Sequence, residues 1–133
     1  MNETEKLAVT RVEGRNVLKS VGYGKWGPED VKALETQLLS LAKAFGSQQW
    51  AFVADPTKMD PIFSKETSDA FAALHKTLED AGCVAIAFLD GKTAAMKLQS
   101  QKHQDRSGTQ KLVVTHIRDD AEALAWLEQQ FGI

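Results

Sequence analysis

Apolar positions recur along this chain with two alternating periods, and the changes of period mark its elements. Leu7 to Glu13 alternates weakly, and Asn16 to Gly22 resumes after Gly14-Arg15, the spacing of a hairpin between two antiparallel strands. Tyr23 to Gly27 reads as a glycine-rich turn. Pro28 then stands at a first helical position, with Glu29 and Asp30 where a helix N-terminus favours acids. Val31, Leu34, Leu38, Leu41, Ala42 and Phe45 follow at helical spacing, and Gly46 stops the run. Trp50 to Ala54 is uncharged and apolar, as a strand buried on both faces reads, and Asp55-Pro56 is expected to end it. Thr57 to Phe63 should be a loop and Ser64 the N-cap of a second helix, whose inner face is Ala70, Phe71, Leu74, Leu78 and Ala81 before Gly82.

Cys83 to Leu89 is the most apolar run and is expected as a central strand, turned by Asp90-Gly91. A third helix is expected from Thr93 to about Gln104 on the strength of Ala94, Ala95, Met96 and Leu98, then a loop at Arg106 and a strand over Lys111 to Ile117. Asp119 and Glu122 have capping-box spacing and open a last helix, with Ala123, Leu124, Leu127 and Phe131 inward. The order β-β-α-β-α-β-α-β-α predicts one α/β domain over residues 1–133. Its five-stranded sheet should be mainly parallel, with the first strand antiparallel and four main helices.

Composition narrows the classes. At 133 residues, with 43% hydrophobic and 26% charged positions, the chain can bury a core without staples, and its net charge of -2 argues against a nucleic-acid partner. One cysteine forms no internal disulfide, no basic and apolar leader opens the chain, and no run approaches the roughly 20 apolar residues of a membrane span. A cytoplasmic protein without an integral membrane segment is the expectation.

Candidate chemistry is sparse. Gly91-Lys92-Thr93 has the ending of a phosphate-binding loop, but Ile86 occupies the position of its first glycine, so a turn and a helix cap are expected there. Asp55 at a strand end lacks the companion acids of a magnesium site, since Gly22 and Tyr23 end the neighbouring strand. Cys83 opens a buried strand, His75 and His103 are read as solvated flank residues, and His116 has no metal-ligating companion. Of Trp26, Trp50 and Trp126, only Trp26 lies outside a periodic position. No enzyme, metal or cofactor is expected. Six basic residues between Lys92 and Arg118 face one acid, Asp105, which reads as a solvated face.

The chain from about Asn16 resembles the STAS superfamily, specifically its SpoIIAA-like branch of small stand-alone bacterial proteins. The resemblance rests on the element order, on the Trp50 to Asp55 strand leading to Ser64, and on the closing segment from Asp119 to Leu127. It implies a sheet order near 1-2-3-4-5. It also implies that Ser64 stands where anti-anti-sigma members carry a phosphorylated serine, although Ile62-Phe63-Ser64-Lys65 departs from their Asp-Ser-(Ser)-Gly motif and favours a plain helix cap. Other domains of this fold hold a lipid between sheet and helices.

A binding or regulatory module is therefore expected, acting on a protein partner through the ends of its strands. The surface named for it is Tyr23, Lys25, Trp26, Asp55, Thr57, Lys58, Asp60, Phe63 and Lys92. A carrier of a small apolar ligand is the alternative, with a cavity beside Trp26, Trp50 or Phe63. A homodimer through Met96 and the Trp126 flank completes the expectations.

Overall fold

The computed structural model describes residues 6–60, 64–89 and 111–133. Five strands form one sheet in the order β1-β2-β3-β4-β5. Strand β1 (Leu7–Arg11) runs antiparallel to β2 (Val17–Gly24), and β3 (Trp50–Met59), β4 (Cys83–Leu89) and β5 (Val113–Ile117) follow in parallel. Helices α1 (Pro28–Ala42) and α2 (Lys65–Asp80) connect β2 to β3 and β3 to β4, while α3 (Asp120–Phe131) closes the chain. The expected helix from Thr93 to Gln104 lies outside the described residues.

Both crossover helices sit on one face of the sheet, as crossovers of one hand must when the strand order runs in one direction. Leu18, Phe52, Ile86 and Phe88 point to that face and meet Val31, Leu34 and Leu38 of α1 and Leu74 and Leu78 of α2. Each fully buried leucine there contributes about 1.5–3 kcal/mol through the area it removes from water. Trp50 closes one end of this core, stacked on Phe45 at 6.2 Å with its Nε1 donating to the Ala81 carbonyl at 3.0 Å. The opposite face is lined by Val17, Ala51, Val53, Ala85, Ala87 and Leu89 and packs against Ala123 and Leu127 of α3. Alanines at three of these positions let a helix axis approach closely.

Capping explains the helix boundaries. The Gly27 N–H donates to the Asp30 carboxylate at 2.8 Å and Pro28 opens α1 without needing a donor partner, while Ser64 Oγ accepts from the Thr67 N–H at 3.3 Å at the start of α2. Asp119 Oδ1 accepts from the Glu122 N–H at 3.0 Å, and Gly132, in the left-handed region at φ 69°, ends α3.

Several expectations change. Helix α1 ends at Ala42 and a 3-10 turn over Lys43–Phe45 completes the run, which leaves Leu41 exposed rather than inward. Ala81 is an exposed C-cap and not part of the inner face of α2. His75, expected on a solvated flank, is 1% exposed and packs edge-on against Phe88 at 6.0 Å. The chief correction concerns β3, which does not stop at Asp55-Pro56 but continues to Met59. Between the pairs Val21–Asp55 and Tyr23–Lys58, β2 advances by two residues and β3 by three, so the pair carries a bulge. The extra residue falls where no ladder donor is needed: Pro56 has none, and the Thr57 N–H is taken by Asp55 Oδ1 at 3.0 Å.

Glu79 ties the start of the last strand to α2. Its Oε2 accepts from the backbone N–H groups of Lys111 at 2.7 Å and Leu112 at 2.8 Å, and its Oε1 from Lys76 Nζ at 3.2 Å. Replacing Glu79 with Ala withdraws the acceptor from two backbone donors, and urea unfolding should show a loss of about 1–3 kcal/mol, with Glu79→Gln retaining part of it.

Candidate functional site

The parallel strands point their C-terminal ends to one edge, and β2 and β3 reach furthest there. Beyond Asp55, among the described residues, β3 pairs with β2 alone, through Tyr23–Lys58 and Gly24–Met59, and the Asp60 N–H donates to the Gly24 carbonyl at 2.9 Å. The result is a short two-stranded parallel ribbon at the edge of the domain. Gly22, opposite the bulge, is needed for close approach: a Cβ there would stand 2.5 Å from Met59 Sδ and 3.1 Å from Trp26 Cζ2. Met59 and Trp26 thus fill the underside of the ribbon.

Tyr23 continues the alternation of Val17, Lys19 and Val21 and projects on the face that carries α3. It is 36% exposed, and Lys58 Nζ lies 5.6 Å from its ring centroid, a cation–π contact worth about 0.5–1 kcal/mol at an exposed site. Asp55, half-buried beside Val21, accepts from both the N–H and the hydroxyl of Thr57 and so fixes the bulge. Lys25, Thr57, Lys58 and Asp60 are exposed. Below them Lys19 is paired with Asp120 in the first turn of α3.

Of the surface named from the sequence, Tyr23, Lys25, Asp55, Thr57, Lys58 and Asp60 therefore gather on and around this ribbon. Trp26 does not belong to the surface. It is 6% exposed, stacks on Phe71 of α2 at 5.9 Å and donates from Nε1 to the Lys6 carbonyl at 3.2 Å, so it joins α1, α2 and the start of β1 from within. Phe63 and Lys92 lie outside the described residues, as does Met96. Ser64 is exposed, but its hydroxyl is committed to the Thr67 N–H, the plain role of an N-cap. Trp126 is half-buried, edge-on to Phe131 at 5.5 Å.

The reactive side chains serve the core. Cys83 is 2% exposed with its thiol donating to the Ala85 carbonyl at 3.3 Å, and burial pushes its pKa up to about 12. His75 and His116 flank Phe88, His116 stacked on that ring at 5.7 Å. Among the described residues no cluster of three or more His, Cys, Asp or Glu side chains could hold a metal ion, and no helix is long and apolar enough to cross a membrane.

Two features escaped the sequence reading. The Tyr23–Lys58 contact depends on the bulge, since an unbulged ladder would set Thr57 opposite Tyr23. The burial of His75 did have a signal, because it stands four residues after Phe71 and three before Leu78, on the same helical stripe. Comparison of the sequence with models of known protein families, and with curated proteins, returned no match.

The Cys83 thiol gives a pH signature. Unfolded, it ionises near 9.0, the ordinary value for a thiol, whereas the native thiol stays neutral up to about 12, so its contribution to stability is fully present below the first value and lost as pH rises towards the second. Thermal melts should show a steeper alkaline decline for the natural protein than for Cys83→Ala, and a thiol reagent at neutral pH should label Cys83 only when the protein is unfolded.

Proposed function

We propose that this chain is a non-catalytic binding or regulatory module, a SpoIIAA-like member of the STAS superfamily, which recognises a protein partner with the β2–β3 ribbon. The observation that carries this reading is Tyr23: among the described residues it is the only exposed aromatic, and it stands beside Lys58 on a firmly built edge. Tyrosine supplies contact area and a hydroxyl with little side-chain freedom to lose, which suits recognition. The strand order is the one that the STAS resemblance implies. Cys83 and His75, the side chains most readily turned to nucleophilic or acid-base work, are taken up in packing. A single buried thiol fits a reducing compartment, the cytoplasm.

A carrier of an apolar ligand would need space between the sheet and α1 and α2. That layer is filled by Trp50, Leu18, Leu38, Leu74, Leu78 and Ile86, each less than 2% exposed, which favours the recognition reading.

A photo-reactive amino acid placed at Tyr23, and in a control at Leu41, tests the proposal in cells. The position-23 protein should give a discrete protein adduct that Lys58→Glu reduces by about tenfold, the effect of roughly 1.4 kcal/mol. Adducts common to both positions, or purified protein that reaches a native mass spectrometer with the added mass of a retained ligand, would overturn it.

A further inference from the structure

Helix α3 is attached to the sheet differently from the other two helices. Helix α1 buries Val31, Leu34, Leu38 and Ala42, and α2 buries Thr67, Ala72, Leu74, His75 and Leu78, whereas α3 buries only Ala123 and Leu127. Leu124, Trp126 and Phe131 add partly buried surface. The remaining attachment is polar and lies at the rim. Lys19 Nζ pairs with Asp120 near the helix start, and Arg15 pairs with Glu128 at 3.5 Å and donates to the Leu124 carbonyl at 3.3 Å further along. The carboxylates of these pairs are 51% and 69% exposed, so water and salt reach both.

The backbone of α3 is also largely self-contained. Asp119 caps its N-terminus, and at its C-terminus the Gly132 N–H donates to the Glu128 carbonyl at 3.0 Å. Among the described residues, separation from the sheet consequently breaks no sheet ladder and leaves no helix end newly unsatisfied. Beneath it the two central strands have support besides α3: Ala51, Val53, Ala85 and Ala87 are also held by the β3–β4 ladder, and the same strands are anchored by the core on the other face.

From these observations we infer that α3 is a detachable strap, which undocks as a unit from a sheet that stays folded and so bares the apolar face of Val17, Ala51, Val53, Ala85, Ala87 and Leu89. Lys19 and Arg15 are its fasteners. Once free, a helix of 12 residues is marginal in water and frays, so opening is brief and reversible. The device belongs to the low-stability end of the distribution of openings within a native protein.

Native-state hydrogen exchange in low urea tests this on the whole chain. Amides in the middle of α3 should exchange through an opening of lower free energy and smaller urea dependence than amides of Ala85 to Ala87. Raising the salt to about 0.5 M should speed α3 exchange selectively. Lys19→Met should speed it about two- to fivefold, the equivalent of an exposed ion pair, with β4 amides unchanged. If α3 and β4 share one opening free energy and one urea dependence in the natural protein, or if salt and Lys19→Met speed both alike, the strap does not exist.

Discussion

The rest of the structure depends on β3 being paired on both edges and packed under α1 and α2 over its first five residues. Trp50, Ala51, Phe52, Val53 and Ala54 lie between β2 and β4, with the α1 and α2 layer on one side and α3 on the other. Such a strand admits no charge and little excess volume. Large side chains, Trp50 and Phe52, go to the deep face, and small ones, Ala51 with its β4 neighbours Ala85 and Ala87, go to the face where a helix lies close. The same strand then leaves the core, acquires polar residues and forms the edge that we propose for recognition. The bulge at Pro56-Thr57 is the hinge between these two roles, because it ends regular packing without ending the pairing with β2.

Most of the architecture was legible in the residues because burial is what periodicity records. The apolar runs at Trp50 and Cys83, the helical stripe ending in Leu74 and Leu78, and the caps at Pro28, Ser64 and Asp119 all became the elements they spell. What was illegible is where a rule about single residues met a compensating neighbour. Proline is read as a strand terminator because it lacks a donor, but Asp55 and Thr57 supply a local turn that makes the missing donor irrelevant. Trp26 falls outside any period, so the sequence points to a surface position for it. Its burial comes from tertiary neighbours, Phe71 above all, that lie 45 residues away in sequence and leave no local trace.

The two faces of the sheet divide the labour. The α1 and α2 face holds the large apolar side chains and supplies most of the packing that keeps the strands together. The α3 face is shallower and fastened by charge, and Lys19 joins it to the ribbon: one strand position above it is Val21 beside Asp55, and the next is Tyr23. The ribbon proposed for recognition and the attachment of α3 therefore share a strand, β2, and a row of alternating side chains. The row thus has the Tyr23–Lys58 contact at one end and the Lys19–Asp120 pair to α3 further down.

The β3 bulge sets Lys58 beside Tyr23, and solution NMR tests this placement. Strand-like chemical shifts are expected through Met59, with an upfield ring-current shift of the Lys58 side-chain ε-methylene protons that disappears in Tyr23→Leu. Loop-like shifts from Pro56 onward, or Lys58 ε-methylene protons at the same position in both proteins, would contradict it.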